Sequence, residues 1–307
     1  MRKILITGTS GFVGRNLLPY LSEDSKVTTM SRKELKEMAP ETLQDVNVMV
    51  HLAGKAHDLK DTTDSQEYYD VNTKLTIALY NLFLSSDAET FIFLSSVKAV
   101  ADHLEGILYE DVAPMPMTHY GKSKLEAEKY LMAQPLPPEK RLYILRPCMI
   151  HGPGNKGNLN LLYNIVKMKI PYPLSSFKNR RSFLSIDNLN FVIKELSMPN
   201  NRIESGIFNV ADDESLSTSE VVILLSMAQH QKARFIKIPK LIIRWVAKLG
   251  DVLKLPLNSE RLSKLTENYV VSNIKLVKAI GRPLPVSSRE GMLRTARSFS
   301  EYEDGNN

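Results

Sequence analysis

Apolar residues fall into two alternating rhythms over the first half of the chain. Short β-branched or aliphatic runs predict strands: KILITG (3–8), KVTTMS (26–31), NVMVHLAG (47–54), TFIFLSS (90–96) and RLYILRP (141–147). Between them lie segments with apolar residues three and four apart, which predict helices. These are GRNLLPYLSED (14–24), with Leu17, Leu18 and Leu21 at helical spacing, and DVNTKLTIALYNLFLSSD (70–87); HYGKSKLEAEKYLMAQ (119–134) reads as a helix because it is rich in helix formers. Alternating strand and helix imply βαβ units, and therefore an α/β fold with a doubly wound parallel sheet and right-handed crossovers.

The second half is less regular. CMIHGPGNKGN (148–158) reads as a loop and LNLLYNIVKMK (159–169) as a helix. PKLIIRWVAKLGDVLKL (239–255) reads as a helix of a smaller lobe with its apolar stripe in the core. Its basic residues also allow a helix lying on a membrane surface. The tail EYEDGNN (301–307) is expected to fray.

Composition narrows the class. With 43% hydrophobic and 24% charged residues, the 307-residue chain resembles an ordinary soluble globular protein. Its one cysteine, Cys148, excludes an intrachain disulfide and Cys-rich zinc sites, and its apolar neighbours suggest a buried structural thiol. The six histidines show no H-x-x-x-H spacing, so no metal is expected. A net charge of +6 suits anionic small molecules. KNRR (178–181) is the densest basic cluster, too short for a nucleic-acid tract. No apolar run approaches the roughly 20 residues that span a bilayer. Only Ile4 to Thr7 precede Gly8 as an apolar stretch, so no secretory signal is read and a cytoplasmic location is expected.

Chemistry enters at the first strand–helix turn. ITGTSGFVGRNL places Gly8, Gly11 and Gly14 at three-residue intervals after a strand and at the start of a helix. There the glycines would permit a tight turn, close backbone approach to a pyrophosphate, and close helix–strand packing. The helix N-terminus adds free N–H donors. Ser10, Phe12 and Val13 belong to the same dinucleotide-binding turn. The expectation is thus a Rossmann-type domain over 1–155 with elements returning from the second half. A mainly substrate-binding lobe follows over 156–300, then a flexible tail over 301–307. At the end of the second strand stand Ser31 and Arg32, with no carboxylate until Glu34. Of NAD and NADP, that pattern favours NADP.

Tyr120 and Lys124 are four residues apart on one helix face, and Ser95 and Ser96 end a strand at the carboxyl edge of the sheet. An unperturbed tyrosine, with pKa about 10, is a poor base at neutral pH. A neighbouring ammonium and a positive nicotinamide ring would make it acidic enough to exchange a proton with a sugar hydroxyl. Ser96 would hold the substrate oxygen.

At this point the chain resembles a known family. TGTSGFVG (7–14), HLAG (51–54), VNT (71–73), FLSS (93–96), YGKSK (120–124), LRP (145–147) and GPG (152–154) are similar, in this order, to the extended short-chain dehydrogenase/reductases of the NAD-dependent epimerase/dehydratase group. RSFLSIDNL (181–189), FNVADDESLST (208–218) and the segment from Asn273 extend the match. The resemblance implies that Ser96, Tyr120 and Lys124 are catalytic. It implies that Leu52, Ala53, Gly54 and Asn72 border the nicotinamide ribose, and that Pro147, Met149 and Ile150 line the nicotinamide. Arg181 matches the arginine that grips a substrate diphosphate, and Asn158 lies where uridine contacts begin.

The nearest resemblance is to bacterial enzymes that act at C4 of UDP-hexoses and UDP-N-acetylhexosamines in surface polysaccharide synthesis, as 4-epimerases or as NADPH-dependent 4-keto-6-deoxy-sugar reductases. Homodimers follow by the same analogy. The alternative is a non-catalytic dinucleotide sensor or scaffold on this fold. Thr118 and His119 stand where dehydratases carry an acidic pair. The stretch between Ser31 and Val48 is short, with no separate third strand. Lys98 after the serines could approach the substrate but reads rather as solvated, and His119, beside Tyr120, could contact substrate but reads as exposed.

Overall fold

The computed structural model describes residues 1–36, 39, 43–55, 65–155, 158–199, 202–253 and 258–304, without the side chains of 32, 36, 158, 260 and 301–304. Strands follow in chain order as β1 (Lys3–Thr7), β2 (Lys26–Met30), β3 (Val48–His51), β4 (Thr90–Leu94), β5 (Ile107–Leu108), β6 (Arg141–Pro147), β7 (Met149–His151), β8 (Phe183–Ser185), β9 (Gly206–Val210) and β10 (Val270–Val271). Six of them form one parallel sheet in the order β2-β1-β3-β4-β6-β9. Among the described residues β2 is the edge strand on this side of the sheet. The register sets Thr7 beside His51, His51 beside Phe93, Leu94 beside Leu145, and Pro147 beside Val210. All carboxyl ends therefore share one edge, where ligands sit in open α/β sheets.

The helices are α1 (Phe12–Ser22), α2 (Arg32–Lys36), α3 (Ser65–Tyr69), α4 (Leu75–Leu84), α5 (His119–Ala133), α6 (Asn158–Lys167), α7 (Ile186–Leu196), α8 (Thr218–Ala228), α9 (Lys240–Leu253), α10 (Ser259–Thr266), α11 (Ile274–Ile280) and α12 (Ser288–Asp304). A π-helical turn, Asp70–Lys74, joins α3 to α4. The sheet buries both faces. Ile4, Ile6, Val48, Val50 and Ile92 pack with Leu17 and Leu21 of α1. Leu5, Met49, Phe91 and Phe93 pack with Leu79, Tyr80 and Phe83 of α4. Burial on both sides is why these strands read as continuous apolar runs.

A separate cluster joins α6, α8 and α12 through Leu162, Val166, Val221, Leu225, Met292 and Phe299. Against it α9 buries only Ile243, Ala247 and Gly250. This corrects the expected core stripe: most of the helix's large apolar residues face solvent. Cys148 is buried, and burial pushes its thiol well above the ordinary range. Among the described residues, no helix is long and apolar enough to cross a membrane, and no cluster of acidic, His or Cys side chains could hold a metal.

Candidate active site

The turn after β1 leaves no room for side chains. Gly8 has φ 77°, and a Cβ there would come within 2.6 Å of the Ala53 nitrogen. A Cβ on Gly14 would lie 2.5 Å from the Gly8 carbonyl oxygen. Gly11 opens α1 with no side-chain cap, and its N–H donates to Gly8 O at 3.1 Å. Ser10 is exposed, with Phe12 and Val13 half-buried behind it. Bare backbone at a helix N-terminus is the cradle that a dinucleotide pyrophosphate needs, so the residues present fit that group.

Next to it, the Leu52–Ala53–Gly54 loop is tied to two elements by His51. The Thr76 hydroxyl donates to Asn72 O at 2.8 Å, so its oxygen accepts from His51 Nε2–H at 2.9 Å. His51 Nδ1 then accepts from the Thr7 hydroxyl at 2.7 Å, whose oxygen accepts from Ala53 N–H at 3.2 Å. This network assigns the neutral tautomer. Asn72 is fully buried in the π-helical turn; its Oδ1 accepts from Lys55 N–H at 2.8 Å and its Nδ2 donates to Ser123 Oγ at 3.0 Å. His51 was missed at the sequence level, although the same HLAG segment supplied its neighbours.

Burial holds the His51 imidazole down at about 3. In the fold it stays neutral, whereas the unfolded chain takes up the proton near pH 6.5. The unfolded state therefore binds more protons as pH falls, and stability is lost on the acid side. The expected loss is about 1.4 kcal/mol per pH unit below roughly pH 6.5 from this group. Denaturant unfolding against pH checks this: His51→Gln should flatten the acid limb, and an unchanged slope would exclude the assignment.

Ser96, Tyr120 and Lys124 come together at the carboxyl end of β4. The first turn of α5 presses on the segment after Ser96: a Cβ on Gly121 would sit 2.3 Å from Lys98 O. Thr118 caps the helix, accepting from Gly121 N–H at 3.2 Å. Tyr120 thereby lies beside Ser96, with its ring edge-on to Tyr68 at 6.4 Å. Burial pushes the phenol up, and the nearby Ser96 hydroxyl pulls it back by less.

Lys124 donates to Leu94 O at 2.9 Å, and a Cβ on Gly54 would stand 3.1 Å from its Nζ. Burial brings its ammonium down to about 8, with Glu128 opposing. An ammonium so deprived of solvent gains from any new anion beside it. Lys98 is half-buried, not free in solvent. Its Nζ donates to Asp102 O at 2.8 Å and lies 4.4 Å over the Tyr269 ring. His119 is exposed, near the Tyr69 hydroxyl.

Behind the trio stands a buried set that the sequence did not reveal. Ser95 Oγ donates to Glu128 Oε1 at 2.5 Å. Arg146 holds the same carboxylate with Nε at 3.0 Å and Nη2 at 2.6 Å. Both side chains of this ion pair are at most 3% exposed.

Pro147 is buried at the end of β6; Met149 and Ile150, half-buried, follow in β7. Arg181 donates to the Lys264 carbonyl oxygen. Burial lowers the Lys98 ammonium, Asp102 and Glu267 raise it, and Arg181 and Lys264 lower it again, so the three cations share one neighbourhood with two carboxylates. The Asn158 side chain lies outside the described residues, as does that of Arg32. Ser31 caps α2 reciprocally with Glu34: Ser31 N–H donates to Glu34 Oε2 at 2.7 Å, and Glu34 N–H donates to Ser31 Oγ at 3.4 Å. The cap brings back to the strand end a carboxylate that sequence spacing put three residues away.

A parallel sheet with a bare glycine turn and a Ser/Tyr/Lys group at its carboxyl edge defines a nicotinamide-dependent oxidoreductase-type enzyme. The chain belongs to the NAD dependent epimerase/dehydratase family, whose model matches residues 4–211. It is 30% identical to a UDP-glucose 4-epimerase from Vibrio cholerae over 97% of this chain and 95% of that one. It is 26% identical to the N-acetyl-alpha-D-glucosaminyl-diphospho-ditrans,octacis-undecaprenol 4-epimerase of Escherichia coli O157:H7, covering 90% and 84%. A UDP-glucuronic acid 4-epimerase from Bacillus cereus, solved with NAD, superposes with a TM-score of 0.74 at 18% identity over 97% of this chain and 99% of that one.

Proposed function

We propose that this protein is a nucleotide-sugar 4-epimerase that inverts C4 of a UDP-hexose or UDP-N-acetylhexosamine for surface polysaccharide synthesis, working as a cytoplasmic homodimer. The observation that carries the reading is the convergence of Ser96, Tyr120 and Lys124 at the sheet edge beside the glycine cradle. Near-full-length similarity to two 4-epimerases supports epimerase over reductase. Gly8, Gly11 and Gly14 with the first amides of α1 would hold the cofactor pyrophosphate. Leu52, Ala53, Gly54, Asn72, Ser95, Pro147, Met149 and Ile150 would border its nicotinamide ribose. Glu34, returned to Ser31, offers an acceptor for a ribose 2′-hydroxyl, so we infer NAD in place of the NADP suggested by Arg32.

When bound, the nicotinamide supplies the hydride acceptor and donor at C4. The chain's own residues move the proton. Ser96 donates a hydrogen bond to the 4-oxygen and holds it against Tyr120. The Tyr120 phenolate takes the 4-hydroxyl proton as the ketone forms, and its phenol returns a proton to the 4-oxygen after the sugar has presented its other face. Lys124, poor in solvation, stabilises the phenolate between these events. Arg181, with Lys98 and Lys264, supplies positive charge for the substrate diphosphate.

Purified protein incubated with UDP-glucose or UDP-N-acetylglucosamine and no added cofactor should yield the 4-epimer. Product formed only from a 4-keto sugar with consumption of NADPH would replace this reading with the reductase.

A further inference from the structure

We propose that α9 docks this protein on an anionic lipid bilayer, with its apolar face sunk into the interface. The helix presents three stripes. Ile243, Ala247 and Gly250 face the lobe. Lys240, Arg244 and Lys248, spaced i, i+4, i+8, form a basic stripe beside them. With Lys178 they line a groove of about 490 Å³ between α9 and α10, which Glu267 also borders. The remaining side carries Leu241, Ile242, Trp245, Val246, Leu249, Val252 and Leu253, all exposed, with Trp245 at 68% and Leu241 and Val252 at 78% each. At 3.6 residues per turn this apolar arc is roughly 140° wide.

A helix of a globular lobe normally turns such a face inward; here it points outward. The charge beside it identifies the occupant. Asp251, held by the N–H and hydroxyl of Ser259 at 2.9 and 2.5 Å, keeps its negative charge, but Lys178, Lys240, Arg244 and Lys248 outnumber it and Glu267, so the flank offered to a partner is cationic on balance. Exposed aliphatic residues, a tryptophan and a bordering row of Lys and Arg fit the interface plane of a membrane with negative headgroups. The inference does not rest on the catalytic reading.

Trp245 is the only tryptophan in the chain, so its emission reports on α9 alone. The full-length protein is titrated with vesicles of phosphatidylcholine mixed with phosphatidylglycerol, and with vesicles of phosphatidylcholine alone, following emission and co-sedimentation. The mixed vesicles should shift the emission to the blue and carry the protein down. Neutral vesicles should do neither, and binding should fade as salt shortens the screening length from about 8 Å toward 3 Å. The Leu241→Ser/Val252→Ser pair should weaken vesicle binding by about tenfold or more. Arg244→Glu/Lys248→Glu should abolish the preference for anionic vesicles, and thermal melting confirms that each variant folds. Unchanged emission with mixed vesicles would overturn the proposal, as would binding insensitive to these variants. A blue emission in buffer from a dimer that the apolar variants dissociate would mean that a second copy covers the face.

Discussion

Replacing Tyr120 by phenylalanine should lower turnover by about 10²–10⁴-fold, the range that a positioned acid–base group contributes. The substitution removes one hydroxyl and keeps the ring against Tyr68. Cofactor affinity should hold, because the glycine cradle and the Asn72–His51 network do not pass through the phenol. Steady-state assay, cofactor titration and thermal melting separate these outcomes. Undiminished turnover would remove Tyr120 from the chemistry, and lost cofactor binding would give it a different role.

The largest effect on stability is expected at Arg146. Arg146→Met leaves the Glu128 carboxylate buried with the Ser95 hydroxyl as its hydrogen-bond donor. Breaking a buried pair from one side costs about 3–5 kcal/mol, or roughly 5–8 °C in melting temperature for a chain this long. Removing both charges in Arg146→Met/Glu128→Met should restore most of that stability, since no lone buried charge remains. Activity should not recover alongside, because Glu128 also opposes the desolvation of Lys124. Melting curves and turnover of the two variants decide it; an unchanged melting temperature for the single variant would show the pair to be energetically idle.

The parts of this molecule legible in sequence are those where one local rule determines the outcome. The strands read out because a sheet covered on both faces demands unbroken apolar runs. The glycine turn read out because no other residue fits where a Cβ would strike backbone. Tyr120 and Lys124 share a face by helical spacing alone. What stayed hidden depends on distant partners. Glu128 sits in the charged run KLEAEKY, where surface ion pairing is the ordinary reading, and its partner lies on another element. Arg146 inside RLYILRP carried the available signal, since a charge within a buried strand must be paired. Lys98 looked solvated because Tyr269 is far away in sequence. For α9, periodicity showed which residues share a face but not whether anything covers it. Glu34 was placed by spacing along a strand, whereas a helix cap folds it back.

The proposed epimerisation parts hydride from proton at C4, the proton going to Tyr120. Running it with deuterium at C4 of the nucleotide sugar in ordinary water, with the product read by NMR, should give an inverted C4 that keeps its deuterium. A product with hydrogen at C4, the label lost to solvent, would contradict the proposed route.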